Sequence, residues 1–102
     1  MSLSGDFNPT IDGCLFTDCN TGIYLDCAGR TPSSTASVYE CAFVGKSAVN
    51  TGVSFANVPA NVIYYNYRIY HCEFYKNNIS SASGFTFSGN YFDANSTTAA
   101  NT

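Results

Sequence analysis

Apolar and polar positions along the chain repeat in a nine-residue pattern that occurs four times: residues 11–19 (IDGCLFTDC), 38–46 (VYECAFVGK), 69–77 (IYHCEFYKN) and 87–95 (FSGNYFDAN). The first position reads Ile11, Val38, Ile69, Phe87; the fourth reads Cys14, Cys41, Cys72, Asn90; the sixth is Phe16, Phe43, Phe74, Phe92. A second block of glycine, apolar, variable, apolar follows at residues 22–25, 52–55 and 84–87. Alternation with a period of two is the signature of a strand with one buried face. Gly22, Gly52 and Gly84 open these blocks and are expected at tight bends, where the backbone adopts a conformation that a Cβ would oppose.

Fixed-period self-similarity of this kind points to stacked structural repeats. The fourth-position residues at 14, 41, 72 and 90 are 27, 31 and 18 residues apart, too close for a strand, a crossover helix and a second strand in each unit. Corresponding strands of successive repeats would then pair in parallel at about 4.8 Å, giving a stack roughly 17 Å tall. A single repeat leaves its inward row half uncovered, and its neighbours supply the missing contacts. Ile11, Val38 and Ile69 are expected to stack, as are the four phenylalanines, so these rings are core and not a binding patch.

The columns resemble those of right-handed parallel β-helix proteins, the architecture of pectate-lyase-like enzymes, viral tailspikes and many bacterial surface proteins. The resemblance covers about residues 11–95. It implies an inward aliphatic and aromatic stack at the first and sixth positions and an amide ladder at the fourth, where Asn90 fits and Cys14, Cys41 and Cys72 replace asparagine. The expected fold is all-β, a short right-handed parallel β-helix, or solenoid, of about three to four coils. Residues 1–10 read as a tag and N-terminal cap, with Met1 to Leu3 left out of the fold, and residues 96–102 as a polar tail. The flat ends of such a stack need cover, so self-association or a longer parent chain is expected.

Composition narrows the function classes. Hydrophobic residues make up 45%, aromatics 16% and charged residues 11%, against about 25% charged in an ordinary soluble domain. A formal net charge of −3, with four Lys plus Arg in all, disfavours nucleic acid or an anionic membrane as partner. No stretch has the length and hydropathy of a membrane-crossing helix. Nothing in the sequence fixes a compartment; the resemblance is compatible with a virion or cell surface.

Candidate chemistry lies in three places. Cys14, Cys41 and Cys72 are expected as buried free thiols and Cys27, opening an insertion, as the exposed and reactive one; the cysteine spacing and single histidine do not form a zinc motif. Glu40, His71 and Glu73 are expected near one another on the outer surface, with two readings: an acid/base group acting on a glycosidic bond, or a surface charge cluster. No residue carries over from the lyases, because the aspartates are scattered and Arg30 and Arg68 fall in insertions. Those insertions, residues 26–37 and 56–68, leave and return at equivalent points and so should emerge from the same edge. In the second, an extended backbone would put Tyr64, Asn66, Arg68 and Tyr70 on one face and Tyr65 and Tyr67 on the other. The first set suits a sugar ring or a protein partner; the alternative is that the tyrosines pad the insertion. Asn78 and Asn95 begin glycosylation sequons, a weak signal in an Asn-rich chain. The expected role is a structural and binding module of a surface, tail-fibre or adhesin-like assembly, with carbohydrate as a candidate ligand and no cofactor or metal; the alternative is a fragment or domain of a polysaccharide lyase or glycoside hydrolase.

Overall fold

The computed structural model describes residues 1–45, 50–81, 84–85 and 87–93. Its strands are β1 (Ser2–Ser4), β2 (Thr10–Asp12), β3 (Leu15–Thr17), β4 (Thr21–Asp26), β5 (Ala36–Tyr39), β6 (Ala42–Val44), β7 (Asn50–Ala56), β8 (Tyr67–Tyr70), β9 (Glu73–Tyr75), β10 (Asn77–Ser80) and β11 (Tyr91–Phe92). The fold is all-β, and a 3-10 turn at Tyr64–Asn66 is the sole helical element among the described residues. Three sheets form, in the orders β1-β4-β7-β10 (sheet A), β2-β5-β8 (sheet B) and β3-β6-β9-β11 (sheet C). Every pairing is parallel. The chain therefore visits the sheets in turn and returns to each one strand further along.

The register puts identical positions of the repeat beside each other. Ile11, Val38 and Ile69 are successive partners in sheet B, and Phe16, Phe43, Phe74 and Phe92 in sheet C. The four rings stack at centroid distances of 5.0, 4.9 and 4.8 Å, within 6° to 11° of parallel. Each contact is worth about 0.5–1.5 kcal/mol beyond the area it removes from water. Sheet A contributes Leu3, Leu25 and Phe55 in one row and Ile23, Val53 and Ile79 in another.

The corner between sheets B and C is turned by a single residue in the left-handed region: Gly13, Glu40, His71 and Gly89, with φ of 66°, 54°, 53° and 68°. Asp18 and Lys76, with φ of 55° and 56°, do the same between C and A. This explains the cysteine and asparagine positions that follow each corner. The carbonyl before the bend accepts an amide from the neighbouring layer, as Tyr39 does from Gly13, Tyr70 from Glu40 and Tyr75 from Gly45, and a short donor just after the bend reaches back to the same oxygen. The thiols of Cys14, Cys41 and Cys72 donate to the carbonyls of Asp12, Tyr39 and Tyr70 at 3.5, 3.3 and 3.4 Å, and Asn77 donates to that of Tyr75 at 2.8 Å. Asn90 instead ties two layers together, accepting from the Cys72 amide at 2.9 Å and donating to the Ile69 carbonyl at 3.0 Å.

Several expectations need correction. Gly22 and Gly52 are not at bends but inside β4 and β7. A Cβ on Gly52 would approach the Phe74 and Phe43 rings to 3.0 and 3.1 Å, and one on Gly22 would approach Phe43 to 3.0 Å and the Gly52 carbonyl oxygen to 2.7 Å. These glycines are flat spaces against the ring stack; Gly84 alone of the three is at a turn with positive φ, 97°. The third strand expected in sheet A at residues 84–87, of which Thr86 is outside the described residues, is replaced by β10, with Ile79 facing Val53 after a register shift. Ser2 to Ser4 belong to the fold, since they pair with Tyr24 to Asp26. Lys46, Asn95 and the expected tail at 96–102 lie outside the described residues.

Candidate functional site

The two insertions meet at one edge. Arg30, from the first, is only 2% exposed. Its guanidinium donates to the Tyr67 hydroxyl at 2.9 Å, the Gly5 carbonyl at 2.9 Å and the Thr35 carbonyl at 2.7 Å. A buried charge needs such satisfaction, because an unbonded polar group away from water is costly. Burial pushes the Tyr67 phenol up, partly offset by the hydrogen bond and charge of Arg30. Ser34 bonds the Asp6 carboxylate and the Thr35 amide donates to Asn8 at 2.9 Å, so residues 5–9 are held by the same insertion. Sequence reasoning placed Arg30 off the regular faces and missed this role. Its insertion reads as a polar surface loop, and nothing in the residue order marks which arginine is buried.

Beside this anchor a cleft of about 880 Å³ is lined by Thr35 and Ser37, by Tyr65 and Asn66 of the 3-10 turn, by Arg68, Ile69 and Tyr70 of β8, and by His71 and Ser88. Arg68 is on a regular strand, paired with Ser37, and not in the insertion. Its Cζ is 5.5 Å from the centre of the Tyr70 ring, which stacks on Tyr39 at 5.0 Å. The negative charge of Asp12 nearby raises the Tyr39 phenol above its ordinary range. Asn66 donates to the Pro32 carbonyl at 3.4 Å, joining the two insertions.

Of the face expected from an extended backbone, Asn66, Arg68 and Tyr70 come together and Tyr64 does not. The 3-10 turn shifts the parity of the segment. Tyr64 packs against Phe85 with ring centres 5.1 Å apart, whereas Tyr65 is 76% exposed and joins the cleft. Tyr67 is fully buried, as its place opposite that face requires.

A second cleft of about 470 Å³ contains Glu40, His71 and Glu73, together with Ala42, Gly89 and Tyr91. His71 lines both clefts. It is a corner residue between β8 and β9, so it does not share a strand with Glu73. Its ring lies edge-on to Tyr70 at 5.5 Å and over Gly89, where any Cβ would collide with the imidazole. Glu73 accepts a long hydrogen bond of 3.5 Å from the Tyr75 hydroxyl. No hydrogen bond or ion pair joins His71 to either glutamate among the described residues.

Cys27 is buried, not exposed: its thiol faces the Leu25 carbonyl at 3.7 Å and desolvation pushes its pKa up to about 11. Cys72 is pushed up to about 11 by the same cause, and Cys41 is also raised. Thiols held protonated at neutral pH are poor nucleophiles. All five cysteines are free; Cys41 and Cys72 are buried as expected, whereas Cys14, at the open end of its column, is half-buried, as is Cys19. Among the described residues no group of three or more His, Cys, Asp or Glu side chains is placed to hold a metal ion. No protein-family model matches the chain, and no curated protein or solved structure matches it.

Proposed function

We propose that the chain is a short right-handed parallel β-helix that serves as a structural and binding module of a surface, tail-fibre or adhesin-like assembly and holds carbohydrate in the cleft at its loop edge. The observation that carries this reading is the makeup of that cleft: an exposed tyrosine, a cation and several hydroxyl and amide groups around about 880 Å³. Sugars present apolar ring faces edged by hydroxyls. Tyr65 supplies a face for stacking, while Asn66, Arg68, Ser37 and Thr35 supply donors and acceptors for the rim. The Tyr39–Tyr70 stack and the buried Arg30 support the cleft wall from behind.

A glycan array followed by titration of the best ligand tests the proposal. Tyr65→Ala and Arg68→Ala should each weaken binding about tenfold, equivalent to about 1.4 kcal/mol. Both residues are exposed, so the fold is expected to survive. An empty array, or retention unchanged in both variants, would discard the cleft as a sugar site.

A second reading rests on the smaller cleft, where Glu40, His71 and Glu73 surround one space. There the chain would be a fragment or domain of a polysaccharide-cleaving enzyme, with His71 moving a proton and a carboxylate assisting. Depolymerisation by the parent chain that His71→Asn abolishes favours this second reading over the first.

A further inference from the structure

Sheet C ends on an exposed apolar side chain at each extreme. Leu15 and Tyr91 are 66% and 54% exposed. Register makes them the two ends of one outward row, since Leu15 pairs with Ala42, Ala42 with Glu73, and Glu73 with Tyr91. The inward ring row of the same sheet also ends partly open, at half-buried Phe16 and Phe92. Among the described residues β1, β2 and β3 each have one neighbour in their sheets, which leaves three strand edges on one side of the stack without a ladder partner, and β11 is the edge of sheet C at the other side. Edges of this kind add strands unless something blocks them.

The two sides are complementary by construction. In the interior, the side of a layer that β3 leaves open is the side that receives the preceding layer, and β11 leaves open the opposite side. Charge disfavours one of the alternative arrangements. Residues 1–20 carry Asp6, Asp12 and Asp18 with no Lys or Arg, a side-chain sum of −3 that the Met1 ammonium reduces to −2, whereas the side chains of residues 67–93 carry Arg68 and Lys76 against Glu73 and Asp93, a sum of zero. Contact between two first layers would bring like charges together; contact between a first and a last layer would not. Area is adequate as well. Four strands at about 4.8 Å account for the shortest extent of the molecule, and the other two extents are 36 and 25 Å. An elliptical section of those axes covers about 700 Å², close to the roughly 800 Å² per partner of a stable interface.

We propose that a second copy of this chain docks head to tail, with the β3 edge against β11 of its neighbour. Phe16 continues the ring row onto the partner's Phe92, and Leu15 covers the partner's Tyr91. The contact buries the two exposed apolar ends of the row together with two half-covered rings. It does not depend on the carbohydrate reading, and either can fail alone.

The test is the solution mass of the full chain across a concentration series, with Leu15→Lys and Tyr91→Lys measured singly and mixed. Both substitutions are on exposed side chains, and circular dichroism checks that the strands are retained. The parent should weigh more than the 11.0 kDa of one chain, and increasingly so with concentration, while each variant alone stays at that mass. An equimolar mixture of the two should form a dimer and stop there, because each variant keeps one competent end. A monomeric parent, a variant that assembles like the parent, or a mixture that stays monomeric would overturn the proposal. Dissociation by Leu15→Lys with no effect of Tyr91→Lys would replace it with contact between like ends.

Discussion

Phe43 lies between Phe16 and Phe74 at 5.0 and 4.9 Å, while Tyr67, at the loop edge, is fixed by a hydrogen bond from one buried guanidinium at 2.9 Å. The first arrangement is redundant and nearly free of direction: any ring of that size at that register position fills the same space. The second is singular, because the bonds depend on the reach and fork of one arginine. Repetition builds the frame, and unrepeated residues build the edge where the larger cleft lies. The two regions should therefore respond differently to substitution.

The largest effect is expected in the ring row. Phe43→Ala removes a fully buried ring with a stacked neighbour on each side and should cost about 3–5 kcal/mol, read as a fall in the urea midpoint. Phe16→Ala, at the half-buried end of the row, should cost less than half as much when both variants are measured in the Leu15→Lys background, which keeps the chain monomeric. Equal costs at the two positions would mean that neighbouring rings do not support one another. At the edge, Arg30→Met leaves the Tyr67 hydroxyl and two carbonyls without their charged donor and should cost about 2–3 kcal/mol. Amide exchange should accelerate in residues 5–9 and 30–37, with protection in β6 and β9 kept. Uniform loss of protection would show instead that frame and edge unfold as one unit.

The same contrast explains what could be read in the residue order. The inward rows were legible because Ile11, Val38 and Ile69, and the four phenylalanines, recur at one offset, and parallel register turns equal offset into contact. The glycines were legible as special but for the wrong reason. A glycine required by a ring packed against it and one required by positive φ look alike in a sequence, and the structure separates Gly52 from Gly84. β10 was hidden because NNIS holds one apolar residue, Ile79, too few for alternation to register. The clustering of Glu40 and His71 followed from their shared position in the repeat, yet that position proved to be a left-handed corner, a backbone state costing roughly 1–2 kcal/mol for such residues. Tyr64 and Tyr65 exchanged places because one short 3-10 turn reverses the parity of everything before β8. Arg30 left no signal, since its burial is decided by Tyr67, Gly5 and Thr35, which come from different stretches of chain.

The central claim is that equivalent positions of the repeat lie side by side on strands running the same way, and nuclear Overhauser contacts across sheet C test it most directly. The account predicts cross-strand contacts in ascending order, Ala42 with Glu73, Phe43 with Phe74 and Val44 with Tyr75. Contacts in the reverse order, Ala42 with Tyr75 and Val44 with Glu73, or no contact between the rings of Phe43 and Phe74, would contradict it.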